Sequence, residues 1–459
     1  MTPDQELPPD QIAPLALRHN FWTWSAQAEV NPIPVVRAEG VRFWDASGKA
    51  YLDFNSMMMC SNIGHGNQHV VEAIVRQARE LPFAAPAMAT KPRAILGRML
   101  DEICPGELDH FLYTLGGAEA IENAIKLARA ATGRHKILAR YRSYHGATHG
   151  AIAATGDPRR WAWEPLVMPG VVHFFDPYRY RSALHRDGPD VDEATFTHDY
   201  LHQLEETIQL EGPATIAAIL VETVTGTNGV IIPPEGYLPG VREMCDRYGI
   251  LLICDEVMSG FGRTGAWFAV DHWKVKPDLM TMAKGLTSAY APLGAVAMTP
   301  AVAATFDHRV YQGGLTFNGH PISMAAAIAN IEVMRDLGLP ERSKVMGKSL
   351  ARRLRELGES HPSVGDVRSI GLFGAVELVR DRKTREPMAT FDTIPRVARD
   401  DTSPEMIALR RFLLERGLYI YIHWNIVLIV PPLIITEDEL AEGLAILDEG
   451  LRLTDAAAS

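Results

Sequence analysis

Cysteine is scarce in this chain, with four residues in 459, at Cys60, Cys104, Cys245 and Cys254, and no CxxC pair among them. That excludes a disulfide framework and a cysteine-ligated zinc site, so no metal is expected, and it suits a reducing cytoplasm. Positive charge is in the minority too: 45 Lys and Arg stand against 56 Asp and Glu, for a net charge of -11. With no basic block to offset that balance, neither nucleic acid nor an anionic membrane is an expected partner. Nowhere do about 18 uncharged apolar residues run together, and the opening MTPDQELPPDQIAP has no apolar segment of signal length. Repeats and low-complexity tracts are also missing. What is present is a globular composition, 47% hydrophobic, long enough to bury a large core in two domains.

The first dozen residues, rich in Pro, Asp and Gln, read as a mobile arm, and Phe21-Trp22-Thr23-Trp24 reads as an aromatic anchor onto a core. Residues 41–54 alternate around Ser47-Gly48, a hairpin pattern. From about Leu96 to Met334, helical periodicity alternates with short apolar runs at Phe111 to Leu115, Lys136 to Ala139, Ile216 to Val221 and Ile250 to Cys254. This predicts an α/β fold with a doubly wound, mostly parallel sheet. Beyond Met334 come a charged helix, Glu341 to Leu357, a strand at 374–379 and a polar surface loop at 380–403. The expected division is an arm and first part of a small α+β domain at 1–80, a large domain at 81–335, and the rest of the small domain at 336–459.

Two apolar runs end abruptly in charge. Leu251-Leu252-Ile253-Cys254 gives way to Asp255, and Met280-Thr281-Met282-Ala283 to Lys284. Strand carboxyl ends in α/β sheets open onto the ligand crevice, where a carboxylate among apolar neighbours needs a cationic partner. Pyridoxal 5'-phosphate would supply one: Asp255 would keep its ring nitrogen protonated, and the Lys284 amine would form a Schiff base with its aldehyde. Alone, either residue is an ordinary strand-end charge. Leu115-Gly116-Gly117-Ala118, entering a helix over 118–129 with Ile121, Ile125 and Ala128 on one face, suits a phosphate at the helix N-terminus. A plain strand-to-helix turn has the same pattern. Tyr144, before His145-Gly146, is placed either to stack on a flat heterocycle or to pack in the core. Glu222 ends a third apolar run and puts a second carboxylate at the crevice.

The segments GGAEAIENAIKLAR (116–129), YHG (144–146), LLICDEVMSGFGRTG (251–265), MAKGL (282–286) and GLTFNGHP (314–321), in this order, resemble those of class III aminotransferases. The resemblance is to the ω-amino acid or amine:pyruvate group, with the aspartate-aminotransferase-like fold of pyridoxal-phosphate enzymes, and spans nearly the whole chain. It implies Lys284 as the Schiff-base lysine, Asp255 as the pyridinium partner, and Val257 on the ring face opposite Tyr144. Gly117 and Ala118 would bind phosphate through backbone amides, Glu222 would lie near the cofactor hydroxyl and substrate, and Thr316 would reach the phosphate of a neighbouring subunit in a homodimer.

Two departures bear on function. Ala118 stands where many relatives have Ser, which removes one hydroxyl donor. In the stretch Leu418 to Asn425, where relatives commonly carry a carboxylate-clamping arginine, only His423 is found, which disfavours dicarboxylate substrates. Trp22, Met57, Met58, Met59 and Phe83 either line an apolar substrate pocket or pack in the core. The implied reaction is ping-pong transfer of an amino group from an amine or ω-amino acid to a keto acid such as pyruvate. The alternatives are a decarboxylating transaminase or aminomutase on the same scaffold, or a non-catalytic cofactor-binding protein.

Overall fold

A seven-stranded sheet forms the centre of the computed structural model, which describes residues 7–164, 166–185, 191–390 and 403–458. In spatial order its strands are His110–Thr114, Gly294–Met298, Leu279–Met282, Leu251–Asp255, Ile216–Glu222, Lys136–Arg140 and Val171–Phe174. Gly294–Met298 runs antiparallel to both neighbours, and the other pairings are parallel. The continuous apolar runs follow from this arrangement. All seven residues of Ile216–Glu222 are buried, because helices cover both faces of a parallel sheet. On one face lies the helix Gly117–Thr132, whose Ala120, Ile121, Ala124, Ile125 and Ala128 pack against Ile137, Ala139, Leu220 and Ile253. Each fully buried Ile or Leu there contributes ~1.5–3 kcal/mol.

Register sets the site. Glu222 pairs with Asp255, and Asp255 with Thr281, so three polar side chains stand side by side at the carboxyl edge. Away from this sheet, the hairpin Arg42–Asp45 and Ala50–Asp53 turns at Ser47-Gly48 as the alternation predicts, and Leu418–Tyr419 extends it in parallel. A second antiparallel layer contains Val364–Ile370, Phe373–Asp381, Ile426–Ile429 and Tyr421–His423. The charged helix runs over Leu339–Ser360.

The N-terminal part differs from expectation. Residues Ile12–His19 form a helix with no buried side chain. The aromatic cluster after it is not sunk in a core, since Phe21 is 85% exposed and Trp24 53%. Trp24 instead lies edge-on to Tyr144, with ring centroids 5.6 Å apart. Residues 1–6 of the expected arm and 391–402 of the expected loop lie outside the described residues. Among the described residues, no helix is long and apolar enough to cross a membrane.

Candidate active site

A cavity of about 490 Å³ opens at the carboxyl edge of the sheet, and Gly117, Ala118, Tyr144, Glu222, Asp255, Val257 and Lys284 all line it. Four strand ends deliver them. Glu222 and Asp255 close their strands, Lys284 follows Leu279–Met282, and Gly117 begins the helix after His110–Thr114. That helix starts at Gly116 with no side-chain cap, which leaves amide donors and the positive end of a 16-residue dipole facing the cavity. Close packing explains the glycines: a Cβ on Gly117 would come within 2.9 Å of Val257 Cγ1, and one on Gly146, at φ +135°, within 2.6 Å of Ala118 Cβ.

Asp255 is 4% exposed and fully engaged. Oδ1 accepts the Val257 amide at 3.0 Å and the Thr281 hydroxyl at 3.2 Å, while Oδ2 lies 2.7 Å from His145 Nδ1. A carboxylate only accepts, so Nδ1 carries the proton. Glu222 accepts the Tyr144 amide at 2.9 Å on Oε1 and the Gly226 amide at 2.8 Å on Oε2. Burial raises the Glu222 carboxyl above its ordinary range, the charge of Asp255 beside it adds to this, and His145 opposes it. Lys284 has φ +46°, a left-handed conformation that costs about 1–3 kcal/mol in a non-glycine residue.

These residues fit pyridoxal phosphate. The uncapped helix start suits its phosphate, the anchored Asp255 suits a protonated ring nitrogen, Tyr144 and Val257 offer an aromatic and an apolar surface, and Lys284 offers a primary amine.

Five expected residues lie off the lining of this chain's cavity. Thr316 is exposed. Trp22 is tied through its backbone to Gln27. Met58 is 44% exposed, and Phe83 packs on Phe317 and His320. His423 is buried against Trp424, with ring centroids 3.6 Å apart.

Arg159 was not expected. It pairs with Asp157, donates from Nη2 to Thr227 Oγ1 at 2.8 Å, and places Cζ 4.0 Å from the Tyr144 ring centroid. Thr227 and Tyr144 both line the cavity, and Arg159, itself off the lining, contacts both of them. Neither His145, within YHG, nor Thr281, within Met280-Thr281-Met282-Ala283, stands out in the sequence, and Trp24 reads there only as part of an anchor.

Comparison with known proteins agrees with this geometry. The aminotransferase class-III family matches residues 24–451. Relatives include a taurine–pyruvate aminotransferase of Rhodobacter capsulatus, 35% identical over 83% of this chain and 85% of its own length. Another is a putrescine–pyruvate aminotransferase of Pseudomonas aeruginosa, 33% identical over 92% of this chain and 91% of its own. The solved taurine:2-oxoglutarate aminotransferase of Bifidobacterium kashiwanohense, in complex with PLP and glutamate, superposes with a TM-score of 0.93 at 42% identity, covering 98% of this chain and 99% of that one. A match of that length, over a cavity so suited to the cofactor, means that the chain belongs to the class III aminotransferases, pyridoxal-phosphate enzymes that pass an amino group from an amine donor to a keto acid.

Proposed function

We propose that the donor is a short ω-amino compound bearing a sulfonate or carboxylate, with a keto acid such as pyruvate or 2-oxoglutarate as acceptor. The observation that carries this is Arg159. Its side chain is 11% exposed, and its Nη1 makes no hydrogen bond among the described residues, where Nε and Nη2 serve Asp157 and Thr227. A guanidinium that touches two residues of the cavity lining, with Nη1 unpaired among the described residues, is a natural anion partner. It supplies the cation missing from the stretch 418–425. The taurine specificity of two relatives points the same way.

Pyridoxal phosphate, when bound, supplies an aldehyde for covalent attachment and an electron-withdrawing ring. Lys284 Nζ would hold it until the donor amine takes that place, and would then move the proton from the amine-bearing carbon of the donor. Asp255, fixed by His145, Thr281 and the Val257 amide, would keep the ring nitrogen protonated. Glu222 would orient Tyr144 through its amide. Gly117 and Ala118 would hold the phosphate, and Thr316 would complete the site of the partner subunit in a homodimer. Trp22, Met58, Phe83 and His423 would act only from outside the lining. The three-part division at 80 and 335, with the first and last parts forming one small domain, fits the pairing of Leu418 with Leu52. All four cysteines are unpaired, which suits a cytoplasmic enzyme.

The test is Arg159→Gln, read as the ratio of kcat/KM for 2-aminoethanesulfonate to that for 1-phenylethylamine. Losing one charged partner, worth ~2 kcal/mol or more, should lower the ratio at least ~30-fold. An unchanged ratio would refute the anionic-donor reading.

A further inference from the structure

Arg159 and Thr227 are held in place by a turn whose far side is gripped by the C-terminal third of the chain. In that turn, the Gly226 amide bonds Glu222 Oε2 at 2.8 Å, Thr227 receives Arg159, and Asn228 donates to Asp157 at 3.0 Å. The next residue, Gly229, has φ +123°, and its carbonyl accepts Arg368 Nε at 2.9 Å. Arg368 stands on Val364–Ile370, in the second antiparallel layer.

Its own setting is a buried charge network. Arg368 Nη1 bonds Asp366 and, at 3.0 Å, Glu377 Oε2, and Cζ lies 4.9 Å from the Tyr178 ring. Glu377 also receives Arg181 Nε and the Tyr178 hydroxyl. Burial alone would raise the Glu377 carboxyl, but Arg368 and Arg181 outweigh it and hold it down to about 2. Glu377 is therefore ionised throughout the working pH range, and the guanidinium is locked in one orientation with Nε aimed at the turn.

We propose that Arg368 is a positioning residue for donor recognition: it does not line the cavity, but its bond to the Gly229 carbonyl fixes the turn 226–229 and so aims Arg159 and Thr227 at the anionic end of the donor. This rests on the anionic-donor reading above. It predicts a division of effects, because Glu222, through which the turn bonds the carboxyl edge of the sheet, is also held independently by the Tyr144 amide.

Arg368→Lys separates positioning from packing. An ammonium keeps a cation between Glu377 and Asp366, but it has no second donor fork to reach Gly229. In the holoenzyme, KM for 2-aminoethanesulfonate should rise on the order of tenfold, as for other outer-shell partners, with kcat within about twofold. The melting temperature and bound cofactor should stay near wild type. Gly229→Ala attacks the same contact from the other side, since its Cβ would lie 3.1 Å from Arg368 Nη2 and 3.0 Å from Ile426 Cδ1, and should give the same KM shift. A lowered melting temperature with unchanged KM makes Arg368 purely structural and overturns the inference, as does failure of both variants to yield soluble, cofactor-loaded protein. If Arg159→Gln weakens the anionic donor while Arg368→Lys does not, this inference alone fails. If Arg159→Gln has no effect, the reading beneath it fails.

Discussion

Replacing His145 with Phe is the sharpest test of the cofactor end. A flat ring, somewhat larger than imidazole, would still fill a site that is 4% exposed, but Asp255 Oδ2 would lose its bond at 2.7 Å. Oδ1 would retain the Val257 amide and the Thr281 hydroxyl, so the carboxylate should stay near its place with one oxygen unsatisfied. Leaving a buried charged acceptor without its donor costs about 1–3 kcal/mol. If that energy otherwise supports the protonated ring nitrogen during proton transfer, the rate falls roughly 5- to 150-fold. The assay is initial-rate formation of alanine from pyruvate at saturating cofactor, alongside cofactor retained after gel filtration. His145→Asn, which keeps an N–H donor, should recover part of the loss. A kcat within about threefold of wild type in the Phe variant would refute the claim that His145 sets the function of Asp255.

Lys284→Ala should abolish both transamination and the visible absorbance of the cofactor-loaded protein, and near-normal turnover would remove Lys284 from its assigned role. Glu256 should give stability a pH dependence, because burial pushes it up to about 7 from an ordinary 4.5. The folded chain keeps this proton up to about pH 7, whereas the unfolded chain releases it near 4.5. The contribution therefore favours folding at low pH and is lost between those values, by ~3 kcal/mol at most. Chemical denaturation of wild type and Glu256→Gln from pH 5 to 8 should show a decline that is shallower in the variant, and parallel curves would exclude Glu256 as its source.

Part of the cavity lining was legible because some of its residues sit where an apolar run stops, a local pattern that one strand carries by itself. Asp255, Lys284 and Glu222 are read that way, and the register that aligns Glu222 with Asp255 follows from parallel pairing. The long-range contacts around them were not legible, since they join residues far apart along the chain. His145 and Asp255 are 110 residues apart, Arg159 and Thr227 68, and Arg368 and Gly229 139. No periodicity encodes such contacts. The Phe21 to Trp24 cluster misled for a related reason: aromatic density signals burial only when a surface is available to receive it. Here one ring, Trp24, leans on Tyr144, while Phe21 stays exposed.

Backbone strain was invisible to the sequence for a deeper reason. Lys284, Ser288 and Ala289 have φ of +46°, +48° and +66°, and Ser56 to Met59 form a run at +46°, +44°, +69° and +61°. No residue in either group is glycine, so intrinsic preference argues against every one, at roughly 1–2 kcal/mol each. Such a turn persists only where its surroundings over-determine it. Arg263 is a main brace: fully buried, it donates to Ser56 Oγ at 3.2 Å, Asn62 Oδ1 at 2.8 Å, and the Leu372 and Pro431 carbonyls at 2.9 and 2.5 Å. Asn62 in turn donates to the Phe261 carbonyl at 2.8 Å and abuts Gly285, next to the lysine. One buried cation thus ties the left-handed run at 56–59 to the strained loop that carries Lys284. Aim and strain are the same feature, because a lysine on relaxed backbone after Leu279–Met282 would have no reason to leave the strand direction and turn into the cavity.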